Sequence, residues 1–523
     1  MILSTASGDV MRNFLMIAIL FQFTGNLVFA QEDSSGQVSA EAFTNLKGQV
    51  DGLNESYLET KSTVDKLSKI KVSGYVQAQW QLADSAGVPS MAGGNFPFNV
   101  LNWHSTGSVA DSARFLDTLA SKQRFMIRRA RIKTTYDAGT SKYVLEIDVL
   151  PNGVGIKDAN VTLLEPWLKT FSATLGIMDR PFGFEVPYSS ASLETPERTR
   201  MVQTIFPGEK DLGVKLEANP TENMGFLQYL NFKGGFFTGM GGNTPNFNEV
   251  DNKVDFIGRG GFRIPIYSMN MEFDGGFSAY LGKVPSRSDI AFHMGDSIAA
   301  VPRNRKTGPA NDLRDTVMDS VRTTAMVMTT GNLGRLFDRK VFGVDAQFYC
   351  DIPVIGGLSL RGEYDWGTLP GTLTSNAPFY ASAYPGDLLE RNMVGWYVML
   401  VQNIGSMFQA VARYDVFDPN TDAKGSDIFR YYQTENEPLN HLQSMADLKF
   451  STLGLGLNYY WDEHLRFTVY YDRVTNEKVN PENEDALYVY GANIPEVLPS
   501  NPLGHYRSDL SDNVFSFRAQ FKF

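Results

Sequence analysis

Two periodicities divide the chain. From Phe43, seam positions fall at Leu46, Val50, Leu53, Tyr57, Thr60, Val64 and Leu67, in alternating steps of three and four. Asn45, Lys47, Asp51, Glu55, Glu59 and Lys66 fill places between them. That heptad predicts an α-helix whose apolar stripe is too narrow for a globular core, so a short coiled coil is the natural way to cover it. A lone amphipathic helix lying on a larger domain is the alternative. Tyr57 and Thr60 in the seam leave the number of chains open.

After Lys71 the period falls to two. Val72, Gly74, Val76, Ala78, Trp80 and Leu82 alternate with Ser73, Tyr75, Gln77, Gln79 and Gln81. One face suits lipid and the other, lined with glutamine, suits water. The same alternation predicts strands at 124–136, 143–149, 156–164, 171–179, 211–218, 227–237, 258–266 and 270–282. It continues at 341–351, 357–367, 392–402, 407–417, 450–461, 465–476 and 513–523. With 72–82 the total is sixteen. Short connections at 137–142, 165–170, 219–226, 267–269, 352–356, 403–406 and 462–464 alternate with long ones, and only 150–155 breaks the rule. Short turns on one side and long loops on the other mark a membrane barrel. In the last strand Phe515, Phe517, Ala519, Phe521 and the final Phe523 share one face. The expected fold is all-β: a 16-stranded antiparallel transmembrane β-barrel over 72–523, after a short α-helical coiled coil within 31–71.

Composition supports that picture. The 523 residues are 43% hydrophobic, 20% charged and 12% aromatic, the last suiting interfacial girdles. Met11-Arg12-Asn13, the apolar stretch Phe14 to Phe23, and Val28 and Ala30 before Gln31 read as a secretory signal over 1–30, with Met11 as the expected start. No other stretch of about 20 apolar residues follows, so no spanning helix is expected. The single cysteine, Cys350, cannot form an internal disulfide. An exported chain with these strands is expected in the outer membrane of a Gram-negative-type bacterium, in contact with its lipids, with the helix in the periplasm.

Several stretches resemble the phosphate-selective porins of the O and P type. They are Phe125-Met126-Ile127-Arg128-Arg129-Ala130-Arg131-Ile132-Lys133, Ile156-Lys157-Asp158-Ala159, and Gly176-Ile177-Met178-Asp179-Arg180-Pro181-Phe182-Gly183-Phe184-Glu185. Glu197-Arg198, Phe206-Pro207-Gly208-Glu209-Lys210-Asp211-Leu212-Gly213 and Val411 to Asn420 extend the likeness. The resemblance implies a homotrimer of porin barrels for passive diffusion of small hydrophilic solutes. It also implies that a long loop, here about 180–210, folds inward as a constriction.

Charge bears on which solutes pass. Lys122, Arg124, Arg128, Arg129, Arg131 and Lys133 are six cations in twelve residues with no acid among them. Strand parity points Arg129, Arg131 and Lys133 into the lumen. Arg259, Arg263, Arg361, Arg413 and Arg518 share that inward parity, and the loop adds Arg180, Arg198, Arg200 and Lys210. Cationic ladders favour anions, and the arginine fork suits phosphate oxygens. Against this, Glu146, Asp148, Asp158, Glu217, Asp345, Glu363, Asp365 and Asp415 also point inward, and the net charge is −11. A lysine-rich cluster suited to phosphate is not evident. The expectation is therefore a lean towards inorganic anions such as phosphate, with a non-selective porin or an envelope tether as alternatives.

Other chemistries find little support. His104, His293, His441, His464 and His505 are scattered, and none belongs to a nucleophile or zinc motif, so no enzyme is expected. Asp418-Pro419-Asn420-Thr421-Asp422 opens like a calcium loop, but its glycine is misplaced at Gly425 and Phe429 stands at the twelfth place, where glutamate is required. No metal or cofactor is expected. No basic patch with interleaved aromatics points to nucleic acid.

Overall fold

The computed structural model describes residues 40–84, 123–150, 153–239, 253–303, 317–372, 388–425, 445–479, 508–509 and 512–523. The expected signal segment, residues 31–39 and Lys122 lie outside the described residues. Two units separate at Ser68/Lys69.

The described part of the first unit holds one helix, α1 (Ala40–Leu67). Its heptad residues Phe43, Leu46, Val50, Leu53, Tyr57, Val64 and Leu67 are all exposed. Among the described residues of the unit, nothing covers the seam.

The second unit is a sheet whose sixteen barrel strands close on themselves. They are β1 (Ile70–Ala83), β2 (Gln123–Asp137), β3 (Ser141–Leu150), β4 (Gly153–Leu164), β5 (Phe171–Asp179), β6 (Lys210–Ala218), β7 (Leu230–Phe237), β8 (Asp255–Ile266) and β9 (Met271–Pro285). After β10 (Ala291–Arg303) and β11 (Val317–Thr329) come β12 (Leu336–Ile352), β13 (Gly356–Thr372), β14 (Leu388–Ile404), β15 (Phe408–Asp418), β16 (Phe450–Tyr460), β17 (Leu465–Asn476) and β18 (Val514–Lys522). Each barrel strand pairs antiparallel with its neighbours. β9 pairs directly with β12, and β18 returns to β1 with Tyr75 opposite Lys522. All sixteen expected strands are present.

Alternation predicts a single connection over 283–340, and there the structure differs. β10 and β11 form an antiparallel hairpin over thirteen residue pairs, Ala291–Thr329 to Arg303–Val317. It takes no place in the ring and touches it through a short parallel pairing of Ala291–His293 with Leu388–Glu390 of β14.

Sequence period decides which side faces what. Val72, Leu82, Ile132, Leu145, Leu175, Leu216 and Leu400 are exposed on the outer wall. An apolar surface of that extent belongs in lipid, since soluble monomers rarely expose more than a few hundred Å² in one patch. Cross-strand aromatic pairs band the wall: Trp80 with Phe125, Phe342 with Trp366 and Trp396 with Tyr414 towards the long-connection end, and Tyr136 with Tyr143 towards the short turns. Exposed Trp167, Tyr267 and Trp461 lie in the short turns themselves. These are the two girdles that membrane–water interfaces favour. The terminal Phe523 ring packs over Gly74, where an added Cβ would stand 2.6 Å from ring carbon Cζ, so glycine is required there.

On the inner side Gln77, Gln79 and Gln81 are buried, as parity requires. The lumen also holds an apolar cluster that parity does not predict. Phe182, Val186, Met201, Val202, Ile205 and Phe206, all from 180–210, pack against wall residues Phe237, Ile257, Tyr280, Val341, Met393, Tyr397, Phe417 and Tyr470.

Candidate pore constriction

Residues 180–210 leave β5, cross the lumen and return to β6. At the start, Arg180 is fully buried, 3.5 Å from Asp211. Gly183 N–H donates to Ser278 Oγ at 2.9 Å, and the N–H groups of Phe184 and Glu185 donate to Glu363 Oε2 at 3.2 and 3.1 Å. Gly183 has φ +57°, and a Cβ there would collide with the Glu363 carboxylate. Sequence and packing thus agree on glycine at this one turn.

The middle of the loop is held by its carbonyls. Those of Ser190, Ala191, Leu193 and Glu194 accept hydrogen bonds from Gln77 (3.2 Å), Gln520 (2.9 Å), Arg466 (2.8 Å) and Asn458 (2.9 Å). The Pro196 carbonyl accepts from Arg518 and that of Glu197 from Arg413 (2.7 Å). Six consecutive-region carbonyls, which would otherwise be unpaired inside the barrel, are satisfied by side chains of β1 and β15–β18. A short helix, α2 (Arg200–Ile205), follows. Its N-cap Thr199 accepts from Val202 N–H and donates to Glu185 Oε2 at 2.5 Å.

Glu197 is the electrostatic centre. Its carboxylate accepts from Arg128 at 2.6 and 2.9 Å, from Arg129 at 2.7 Å and from Arg518 at 3.2 Å. Burial alone would raise its pKa, but Arg129, Arg128 and Arg518 overcome that and hold the carboxyl well below the usual carboxylate range. Three guanidiniums share one carboxylate, so positive charge is in surplus here.

Arg128 was not among the residues placed inside by parity. The register of β1 with β2 shifts between Gln77 and Ala78, so Gln77 faces Arg129 while Ala78 faces Ile127. Arg128 is the extra residue of that β-bulge, and both neighbouring arginines turn inward. Arg124 follows the shifted parity and donates to Gln81 Oε1 at 2.8 Å. A second bulge sits opposite Glu146/Ile147, where Lys157 is the extra residue beside the inward Asp158. Adjacent charges in mid-strand could have signalled both, because a strictly alternating strand would put one in lipid at about 2–4 kcal/mol.

Most of the cations singled out from the sequence are members of ion pairs. Arg131 is 3.5 Å from Glu146 and 3.3 Å from Asp148, and Lys133 is 3.4 Å from Glu146 and 3.5 Å from Asp158. Arg198 pairs with Glu209 at 2.6 Å, while Lys210 pairs with Asp158 at 3.0 Å and Asp179 at 2.8 Å. Arg259 engages Asp345, Arg361 engages Glu194 at 2.9 Å, and Arg413 lies 3.3 Å from Asp415. The Arg200 guanidinium stacks 4.3 Å over the Phe450 ring. Arg263 pairs with Glu272 at 2.9 Å and keeps 66% of its side-chain surface exposed; Lys133 keeps 40%.

The two carboxylates of the Asp418–Asp422 turn accept hydrogen bonds from amide groups. Asp418 Oδ1 accepts from Asn420 N–H at 3.2 Å, Asp422 Oδ2 from Asn392 at 2.8 Å, and Asn420 donates to Asp447 at 2.8 Å.

The chain matches no protein-family model and no curated protein. Solved structures resemble it at low identity. Pseudomonas putida OprB is 10% identical, with 88% of this chain and 96% of that one covered and a TM-score of 0.47. An anion-selective porin from Comamonas acidovorans is 10% identical (87% and 99% covered, TM-score 0.43). The outer membrane channel DcaP of Acinetobacter baumannii is 8% identical (87% and 97% covered, TM-score 0.43). The architecture therefore rests on the strand pairing itself.

Proposed function

We propose that this chain is an outer-membrane porin, passing small hydrophilic solutes by passive diffusion with a modest lean towards anions such as phosphate. The observation that carries the reading is a closed sixteen-stranded barrel with an apolar outer wall and a charged inner one. Barrels of that strand number are wide enough for an aqueous channel. Segment 180–210 narrows the bore. The lean towards anions is supported by the three guanidiniums, of Arg128, Arg129 and Arg518, that contact the single Glu197 carboxylate.

Self-association accompanies this reading. The uncovered heptad seam of α1 supports assembly of several chains, and the trimer implied by the porin resemblance suits it. In that arrangement α1 sits in the periplasm.

The test is the reversal potential under a KCl gradient for the wild type and for Arg129→Gln/Arg131→Gln/Lys133→Gln. An anion-directed potential that moves towards the cation side in the variant supports the reading. An unchanged potential makes that ladder structural and removes the basis for the lean.

A further inference from the structure

A second cationic surface lies apart from Glu197, on strands the Glu197 cluster does not use. Between the start of the inward segment and β6–β9 is a cavity of about 600 Å³. Asn219 and Tyr229, from the short connection after β6, also line it, which places it towards the short-turn end. Lys215, Lys233, Arg259, Arg263 and Arg180 line it with Asp179 and Asp274. The three arginines are taken by carboxylates behind the lining, Arg180 by Asp211, Arg259 by Asp345 and Arg263 by Glu272, which leaves the two lysines as the cationic surface. Glu217, which is not in the lining, serves two lysines at once, at 2.9 Å from Lys215 and 4.0 Å from Lys233. One carboxylate cannot neutralise two ammonium groups, and 36% of the Lys233 side-chain surface remains exposed.

The same cavity has an aromatic wall. Within the inward segment Phe182 and Val186 are buried in the apolar cluster, whereas Phe184 and Tyr188 stay half-exposed and line the cavity. Their rings stack at 5.1 Å and 28°, and the Arg361 guanidinium lies over both at 5.5 and 5.2 Å. Backing by Arg361, itself paired with Glu194, fixes this ring pair in place. Amides of Gln228, Asn231 and Gln347 add hydrogen-bonding groups to the lining. A concave site with an apolar flat wall and a few convergent polar groups is the usual form of a small-molecule site.

The geometry points to a binding site for a small aromatic carboxylate, its acid group taken by Lys215 and Lys233 and its ring laid against Phe184 and Tyr188. This rests on the porin reading only in that the solute reaches the cavity through the lumen. Inorganic anions have no use for the ring wall, and neutral aromatics have none for the lysines, so the combination selects a molecule carrying both.

The test is isothermal titration of the detergent-folded full-length protein with benzoate, with cyclohexanecarboxylate and inorganic phosphate as comparisons. Saturable benzoate binding is expected, at least about tenfold tighter than phosphate, and weakened about tenfold or more in Lys215→Gln/Lys233→Gln. Phe184→Leu keeps every charge and is expected to erase the preference for benzoate over cyclohexanecarboxylate. Absence of saturable benzoate binding, or equal affinity for phosphate, overturns the proposal on the wild-type protein alone. Binding unchanged in the lysine variant does so too. Ion conductance is recorded separately, so a protein that conducts without binding benzoate keeps the porin and loses this site.

Discussion

Glu197 concentrates the constriction's electrostatics in one side chain, and its removal has a definite consequence. In Glu197→Gln, Arg128, Arg129 and Arg518 lose their shared counter-charge inside the barrel. Breaking a buried pair from one side costs about 3–5 kcal/mol, to be read as a lowered midpoint for unfolding in urea with lipid vesicles. Glu209 sets the pH range of the segment's other tie. Burial opposes its ionisation, but Arg198, Lys157 and Arg129 bring the carboxyl down to about 2 from an ordinary 4.5. A carboxyl depressed in the folded state stabilises it fully above the unfolded value and less as pH falls through the folded one. The Arg198–Glu209 tie is therefore expected to be intact from pH 7 to 5 and to fade between about 4.5 and 2. Comparing the pH dependence of unfolding in wild type and Glu209→Gln checks this; a difference already lost at pH 6 would contradict it. At this scale the sequence was half legible. Alternation placed Arg129, Arg131 and Lys133 inside, because a guanidinium on the lipid face is costly. It missed Arg128 and Lys157, whose orientation depends on bulges that no period-two pattern contains.

Elements were more legible than contacts. Alternation found all sixteen barrel strands because lipid outside and water inside enforce it on each of them. The β10–β11 hairpin escaped because nothing requires its faces to differ in that way, and Gly295 and Pro302 interrupt what pattern there is. The lumenal apolar cluster also escaped. Phe182, Val202 and Phe206 lie in a long connection, and their partners Tyr280 and Tyr397 occupy inward positions where polar residues are the expectation. The helix α1 is legible in its period, and its seam yields a prediction of its own. A peptide of residues 31–71 is expected to sediment as an oligomer with concentration-dependent helicity, and Leu46→Asp/Leu53→Asp to be monomeric. A wild-type peptide that stays monomeric at high micromolar concentration would contradict a coiled coil and return α1 to a lone amphipathic helix.

The whole molecule combines an apolar exterior suited to lipid, a polar interior and an inward segment tied to the wall by carbonyl and ion-pair contacts. Net charge reveals little of this: −11 coexists with three guanidiniums gathered around Glu197, because such a cluster depends on which side chains meet in space and not on the sum over the chain. The most direct test of the central claim is single-channel recording of the refolded protein in planar bilayers under a KCl gradient. Discrete conductance steps with a modest anion-directed reversal potential are predicted. A folded barrel, shown by heat-modifiable mobility on a gel, that inserts yet carries no current would contradict a diffusion channel and leave the chain as an envelope tether.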